Sequence, residues 1–241
     1  MEAPMVRTQR ADLRQRADAL LDAATELLLD TGSRRIRIEE VAARAGVGKG
    51  TVYLHWSSRD HLLLAVGARE AAAMLDVVVA AIKDDPVEAA PHRYLRRHFL
   101  EAMGRPVLKT IFSAEAPELN AFAEQSAHAG LRESKPTASH AYLKALAQHG
   151  LLRSGADLSD VEYGIQAVAY GFFASGPLQA VDPERGLEHR ADQLADVIRR
   201  SFEPAETPPP DRYGEAAPQV IEAFTMLAAE FRRTAYGAAE D

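Results

Sequence analysis

Between Ile36 and Leu64 the chain reads IRIEEVAARAGVGKGTVYLHWSSRDHLLL, an order of residues that few folds accommodate. Glu39 to Ala45 is a short amphipathic run with Val41, Ala42 and Ala45 on one side. Ala45-Gly46-Val47 follows as a tight turn, in which Gly46 can take the left-handed backbone conformation without a Cβ clash. Lys49 to His55 then reads as a second short helix with Val47 and Val52 facing inward. Ala42 falls where the two helices cross, and a larger side chain there would push them apart. This is a helix-turn-helix, a motif that lays its second helix in the DNA major groove. The pattern predicts a DNA-binding chain.

Elsewhere the periodicity is helical and no stretch alternates as a strand would. The expected fold class is all-α, with an N-terminal three-helix helix-turn-helix domain over residues 1–57 and a larger helical domain over 58–241. Residues 1–11 read as a disordered tail. A first helix runs from Asp12 to Asp30 on the stripe Leu13, Leu20, Leu21, Ala24, Leu27 and Leu28, and Thr31-Gly32-Ser33 ends it. Ser58 is a natural N-cap for a long helix from Arg59 to about Lys83, with Asp60 suiting its positive end. Asp84-Asp85-Pro86 stops that helix. Further helices are expected over 87–103, 105–113, 115–128, 136–149, 158–175 and 184–202. Pro106, Pro117, Pro136 and Pro183 sit near their starts, where a missing N–H costs nothing. The segment 204–218, PAETPPPDRYGEAAP, reads as a Pro-rich linker, and a C-terminal helix over 216–236 presents Val220, Ile221, Phe224, Leu227 and Phe231.

A net charge of −7 looks wrong for a DNA binder until it is divided. Residues 1–60 hold ten Lys/Arg against nine Asp/Glu, a balance of +1; residues 61–241 hold 18 against 26, a balance of −8. Arg34, Arg35, Arg37, Arg44, Lys49 and Arg59 crowd around the helix-turn-helix, which turns that end toward phosphate and the acidic body away. Without cysteine the chain has no disulfide or thiolate chemistry. The N-terminus lacks a secretory apolar segment and no apolar run approaches the ~20 residues of a membrane span, so a cytoplasmic location without membrane contact is expected. G-x-S-x-G, H-E-x-x-H and phosphate-loop motifs are absent, which argues against an enzyme. His98, His128, His140 and His149 lack metal-ligand spacing, so neither a metal nor any other cofactor is expected.

The segment GVGKGTVYLHWSSRDHLL resembles the recognition helix and adjoining turn of the tetracycline-repressor (TetR) family of bacterial one-component regulators. Gly46-Val47, Lys49-Gly50-Thr51, Tyr53, Trp56 and Ser58-Arg59-Asp60 before Leu62 carry the resemblance, which extends back over Arg16 to Gly32. It implies a repressor released by a small-molecule effector, with residues 58–241 as an effector-binding and dimerisation domain. It also implies that Tyr53 and Arg59 contact the DNA backbone and that Arg37 and Thr51 make further contacts. The chain departs from the common pattern at Gly48, where Ser is frequent, and at Arg37, where Thr is frequent, so any hydroxyl contact there is lost.

On the second helix, Val47 and Val52 belong to the core, which leaves Gly48, Lys49, Gly50, Thr51, Tyr53 and His55 facing outward. Lys49 can donate to guanine or phosphate, and Thr51 and Tyr53 can donate to phosphate. Trp56 is expected to pack under the following helix. One such helix reads only a few base pairs, so specificity calls for two copies on palindromic double-stranded DNA, about 34–36 Å apart. Leu158, Val161, Ile165, Val168 and Phe172 form one apolar seam, and Leu187, Ala191, Leu194, Ile198 and Phe202 another; both are candidate homodimer interfaces. Gly164, Ala167, Gly171 and Ala174 form a small-residue face. The resemblance further implies an effector pocket between about residues 60 and 176. Its candidate lining is Met74, Phe99, Met103, Phe112 and Phe122, with Tyr142, Gln166, Tyr170 and Phe173, which suits an apolar effector. The rival reading is a constitutive or architectural DNA-binding protein without an effector, and activation in place of repression stays open.

Overall fold

A computed structural model of the chain describes residues 4–31, 36–112, 131–155, 157–175 and 186–237. Among them there are ten α-helices and no strand. The head comprises α1 (Pro4–Thr31), α2 (Ile38–Arg44) and α3 (Lys49–His55). The body comprises α4 (Arg59–Asp84), α5 (Pro91–Gly104), α6 (Pro106–Phe112), α7 (Leu131–Gln148), α8 (Leu158–Ala174), α9 (Leu187–Phe202) and α10 (Pro210–Tyr236), with a 3-10 turn at Pro86–Ala89. No helix among the described residues is long and apolar enough to cross a membrane.

Head and body share one core. Leu20, Leu21 and Ala24 of α1 meet Val41 and Ala42 of α2, Val52 of α3, and Leu62, Ala65 and Val66 of α4, all essentially buried. Ala42 is 2% exposed at the tight crossing of α2 and α3, as its size requires. Ser58 caps α4, its Oγ accepting the His61 N–H at 3.1 Å. Arg69 ties α4 to α1 through Asp22 at 2.7 Å and Thr25 at 3.3 Å.

Several boundaries differ from expectation. The tail expected over 1–11 is helical from Pro4 onward: Pro4 suits a first helical turn, and no Gly or Pro interrupts the chain again before Gly32. The helix expected over 87–103 is split, because Pro91 holds Ala90 at extended ψ 136° and opens a new helix. Asp85 accepts the Val87 N–H at 3.0 Å in the intervening 3-10 turn. The helix expected over 136–149 begins at Leu131, so Pro136 lies inside it. The linker expected over 204–218 ends at Pro209, and α10 continues through Pro218. An interior proline costs about 3 kcal/mol. Here Tyr213, Ala216 and Ala217 are buried before it and Val220 and Phe224 after it, at roughly 1.5–3 kcal/mol for each large side chain, so burial outweighs the break. The helix expected over 115–128, along with Arg34, Arg35 and Pro183, lies outside the described residues.

The C-terminal helix α10 lies along α4 and α7. At one end Phe224 stacks on Tyr94 at 4.9 Å and tilts against Tyr142 at 5.2 Å. At the other end it reaches the head. The Trp56 Nε1–H donates to the Ala235 carbonyl at 3.0 Å, and the Tyr236 hydroxyl donates to Asp18 of α1 at 2.7 Å. Arg14 of α1 covers the Tyr236 ring at 3.4 Å. Trp56 thus packs beneath α10 as well as α4, a partner that local periodicity could not reveal.

Candidate nucleic-acid interface

The turn between α2 and α3 is a closed hydrogen-bonded motif. Gly46 has φ +70°, the Val47 N–H donates to the Ala42 carbonyl at 2.9 Å, and the Gly46 N–H donates to the Ala43 carbonyl at 3.2 Å. This pair of bonds satisfies the last carbonyls of α2 and needs a left-handed residue at its centre. Val47, partly buried against the core, completes the motif with an apolar contact. The turn therefore fixes the angle at which α3 leaves the domain.

On α3, Val52 is fully buried, which orients the remaining residues at 100° per step. Gly50 and Leu54 form the centre of the outward ridge, Lys49 and Tyr53 one flank, Thr51 and His55 the other. Exposure follows this geometry: Leu54 is 81% exposed, Tyr53 is 47% exposed, and Gly48, Lys49 and Gly50 are open, while Thr51 and His55 are half-buried. Leu54 is absent from the residues expected to face outward, although the period set by Val52 places it at the apex. His55 departs from expectation in the other direction. Its ring lies 5.3 Å from Trp56, and burial reinforced by the Arg16 charge lowers its pKa.

The cations are not all free to meet phosphate. Lys49 is paired with Glu39 of α2, which raises the lysine pKa and lowers that of the carboxylate. Engaging DNA through Lys49 means exchanging that partner. Arg59, expected at the DNA backbone, donates from Nε to the Ile36 carbonyl at 3.0 Å and from Nη1 to Asp60 at 2.6 Å. In this arrangement it braces the start of α4 against the residues entering α2. Arg44 pairs with Glu26 and Asp30, each at 3.4 Å, whereas Arg37 is exposed and provides no side-chain cap for α2.

Residues 20–66, which span this whole arrangement, match the model of the bacterial regulatory proteins of the tetR family. Over these residues the chain is similar to the TetR family. It is 36% identical over 88 residues to the HTH-type transcriptional activator FasR of Mycolicibacterium smegmatis; the match takes in 36% of this chain and spans only 38% of that relative's length. The fold extends further. The fatty acid degradation regulator FadR of Bacillus halodurans superposes with a TM-score of 0.57 at 15% identity, over 82% of this chain and 96% of that one. SmeT, repressor of the Stenotrophomonas maltophilia multidrug efflux pump SmeDEF, gives 0.52 at 19% identity over 80% and 93%. The likeness to these solved structures is one of fold, an N-terminal helix-turn-helix head followed by a helical body.

In the helical body the seams expected between subunits turn inward. Val161 and Ile165 of α8, and Ala191, Leu194 and Ile198 of α9, are buried in the chain's own core. Leu158, Val168, Phe172, Leu187 and Phe202 are partly buried against it. A 3,4 apolar stripe marks a buried face without saying whose core buries it, and here α9 packs on α5 and α8. Gly164 admits the edge of Phe202: a Cβ there would lie 2.8 Å from the ring. The opposite face of the two helices is left open, with Tyr163 at 77%, Tyr170 at 67% and Val197 at 39% exposure beside exposed Ala167 and Gly171.

The expected pocket residues divide as well. Met74, Phe99, Tyr142 and Phe173 are buried and Met103 and Phe112 partly so, whereas Gln166 and Tyr170 lie on the exposed face of α8. Phe122 is outside the described residues. Phe173 stacks on Phe112 at 4.6 Å and tilts against Phe99 at 5.1 Å, so three of the expected residues do form one cluster.

Proposed function

We propose that the protein is a dimeric, sequence-specific repressor that occupies a palindromic operator and is released by a small apolar effector. The observation that carries this reading is the outward ridge of α3: an open face bearing Lys49, Gly50, Tyr53 and Leu54, held at a fixed angle by the Gly46 turn. N-terminal recognition-helix residues approach base edges. Gly48 and Gly50, with no side chain, let the backbone come close to the duplex, Lys49 donates to guanine or phosphate, and Tyr53 donates to phosphate. Leu54 is suited to a thymine methyl group. Thr51, Arg37 and His55 flank the ridge, and Arg59 positions it.

Two copies are required for a useful site size, and the exposed face of α8 and α9 around Tyr163, Ala167, Tyr170 and Val197 is the surface that supports pairing. Two elements run from the aromatic interior to the head, α4 continuously and α10 through its contacts with Trp56 and Asp18. An effector that prefers the body conformation incompatible with operator spacing shifts the equilibrium off DNA by its differential affinity. Gel retardation on a selected duplex across a salt series tests the DNA half of this reading. Affinity should fall with a log–log slope of about −0.9 per phosphate contacted. A flat response, or no retardation at low salt, would refute it.

A further inference from the structure

The first turn of α2 places a carboxylate on the DNA-reading face. Glu39 is exposed and accepts a hydrogen bond from Lys49, the first residue of α3. The Lys49 ammonium also lies 5.8 Å from the centre of the Tyr53 ring, so it is held between an anion on one helix and an aromatic face on the other. α3 has no acidic residue in its own first turn, and the anion there comes from α2 alone. Their hydrogen bond lowers the pKa of the carboxylate and raises that of the ammonium, so both are charged near pH 7. An exposed pair of this kind contributes little to folding. Its consequence falls on what the interface can touch.

A carboxylate is out of place beside DNA, whose phosphates repel it, and Lys49 without it would hold any duplex more tightly. Glu39 alters the exchange that binding requires. An ammonium that leaves for phosphate enters a surface of acceptors, and the carboxylate left behind loses water without gaining a donor. A G·C pair is different. Guanine offers O6 and N7 to the ammonium, and the cytosine N4 amino group, itself paired with O6, lies beside them as a donor. Ammonium and carboxylate then each find a new partner. In an A·T pair the adenine N6 amino group sits between two acceptors, adenine N7 and thymine O4, and both repel the carboxylate.

We propose that Glu39 is a specificity-determining residue of the DNA interface, accepting from cytosine N4 when Lys49 donates to the guanine of the same pair and disfavouring the transfer of Lys49 to phosphate. This rests on the DNA-binding reading above. It fixes one G·C pair in each half-site and holds down sequence-blind binding.

Competitive gel retardation tests it, using the duplex selected by the unmodified chain, its single-pair variants and an unrelated duplex across a salt series. Each selected half-site should hold one G·C pair whose replacement by A·T weakens binding about tenfold, the discrimination of one good base contact. Glu39→Gln removes the charge and keeps the shape. It should bring that ratio below about threefold, since an amide can meet adenine N6 and N7, and should tighten binding to the unrelated duplex. On that duplex the log–log salt slope should steepen by about 0.9 for each Lys49 released to phosphate. In a Lys49→Met background the same substitution should no longer steepen it. A selected half-site without such a G·C pair, an equal ratio in the unmodified chain and Glu39→Gln, or an unchanged slope would overturn the assignment while leaving DNA binding in place. Failure of the unmodified chain to retard any duplex at low salt would overturn both.

Discussion

Trp56→Phe measures how firmly the C-terminal helix holds the DNA-reading head. Trp56 is 1% exposed, and its indole N–H caps the carbonyl of Ala235, one of the last helical carbonyls, which have no partner within the helix. The substitution leaves that buried carbonyl unsatisfied, at about 1–3 kcal/mol, and the smaller ring leaves a gap costing about 1 kcal/mol more. The expected loss is about 2–4 kcal/mol in urea unfolding, compared at one protein concentration because self-association adds to apparent stability. Amide exchange should rise in α1 and at the end of α10 together, since Tyr236 joins them through Asp18. The double variant with Tyr236→Phe should lose less than the sum of the single losses, because both substitutions release the same helix end. A loss below about 0.5 kcal/mol, or exchange that rises at Trp56 alone, would refute the reasoning.

Three further outcomes follow from the same geometry. Replacing single operator thymines by deoxyuridine removes only the methyl group; at one position per half-site this should weaken binding by the unmodified chain but leave Leu54→Ala indifferent, and indifference of both proteins would remove Leu54 from base contact. Ala167→Arg should abolish self-association in sedimentation while leaving the unfolding midpoint of the isolated chain nearly unchanged, whereas Ile165→Ala should cost about 2–5 kcal/mol of stability; the reverse pattern would return the subunit interface to the buried seam. His98 has a folded-state pKa near 4, below its ordinary value of about 6.5, so its contribution to stability is complete above pH 6.5 and is lost as pH falls toward 4. His98→Phe should therefore flatten the fall in urea midpoint between pH 7 and pH 5, and an equal fall in both proteins would contradict the assignment.

What was legible in the sequence was whatever local chemistry decides. The Gly46 turn, the Ser58 cap and the burial of Val52 follow from residues within one or two helical turns of each other. So does the apex position of Leu54, which the spacing from Val52 sets although leucine is an apolar residue on an open face. The partner of a buried face was not legible. Val161, Ile165, Leu194 and Ile198 carry the pattern of a helix seam, and only the three-dimensional arrangement shows that α5 and the rest of the same chain cover it. The pairing of Arg59 with the Ile36 carbonyl, and of Trp56 with a carbonyl 179 residues away, depends equally on tertiary placement. Proline was over-read: Pro136 and Pro218 are tolerated inside helices whose buried side chains outweigh the lost hydrogen bond.

Selection of bound duplexes from random DNA by the purified chain addresses the central claim most directly. The account predicts enrichment of two inverted half-sites whose centres lie about one helical turn or a small multiple apart, the spacing that a symmetric pair of α3 ridges can reach. Recovery of a lone half-site held by a monomer, or of no common sequence at all, would contradict it.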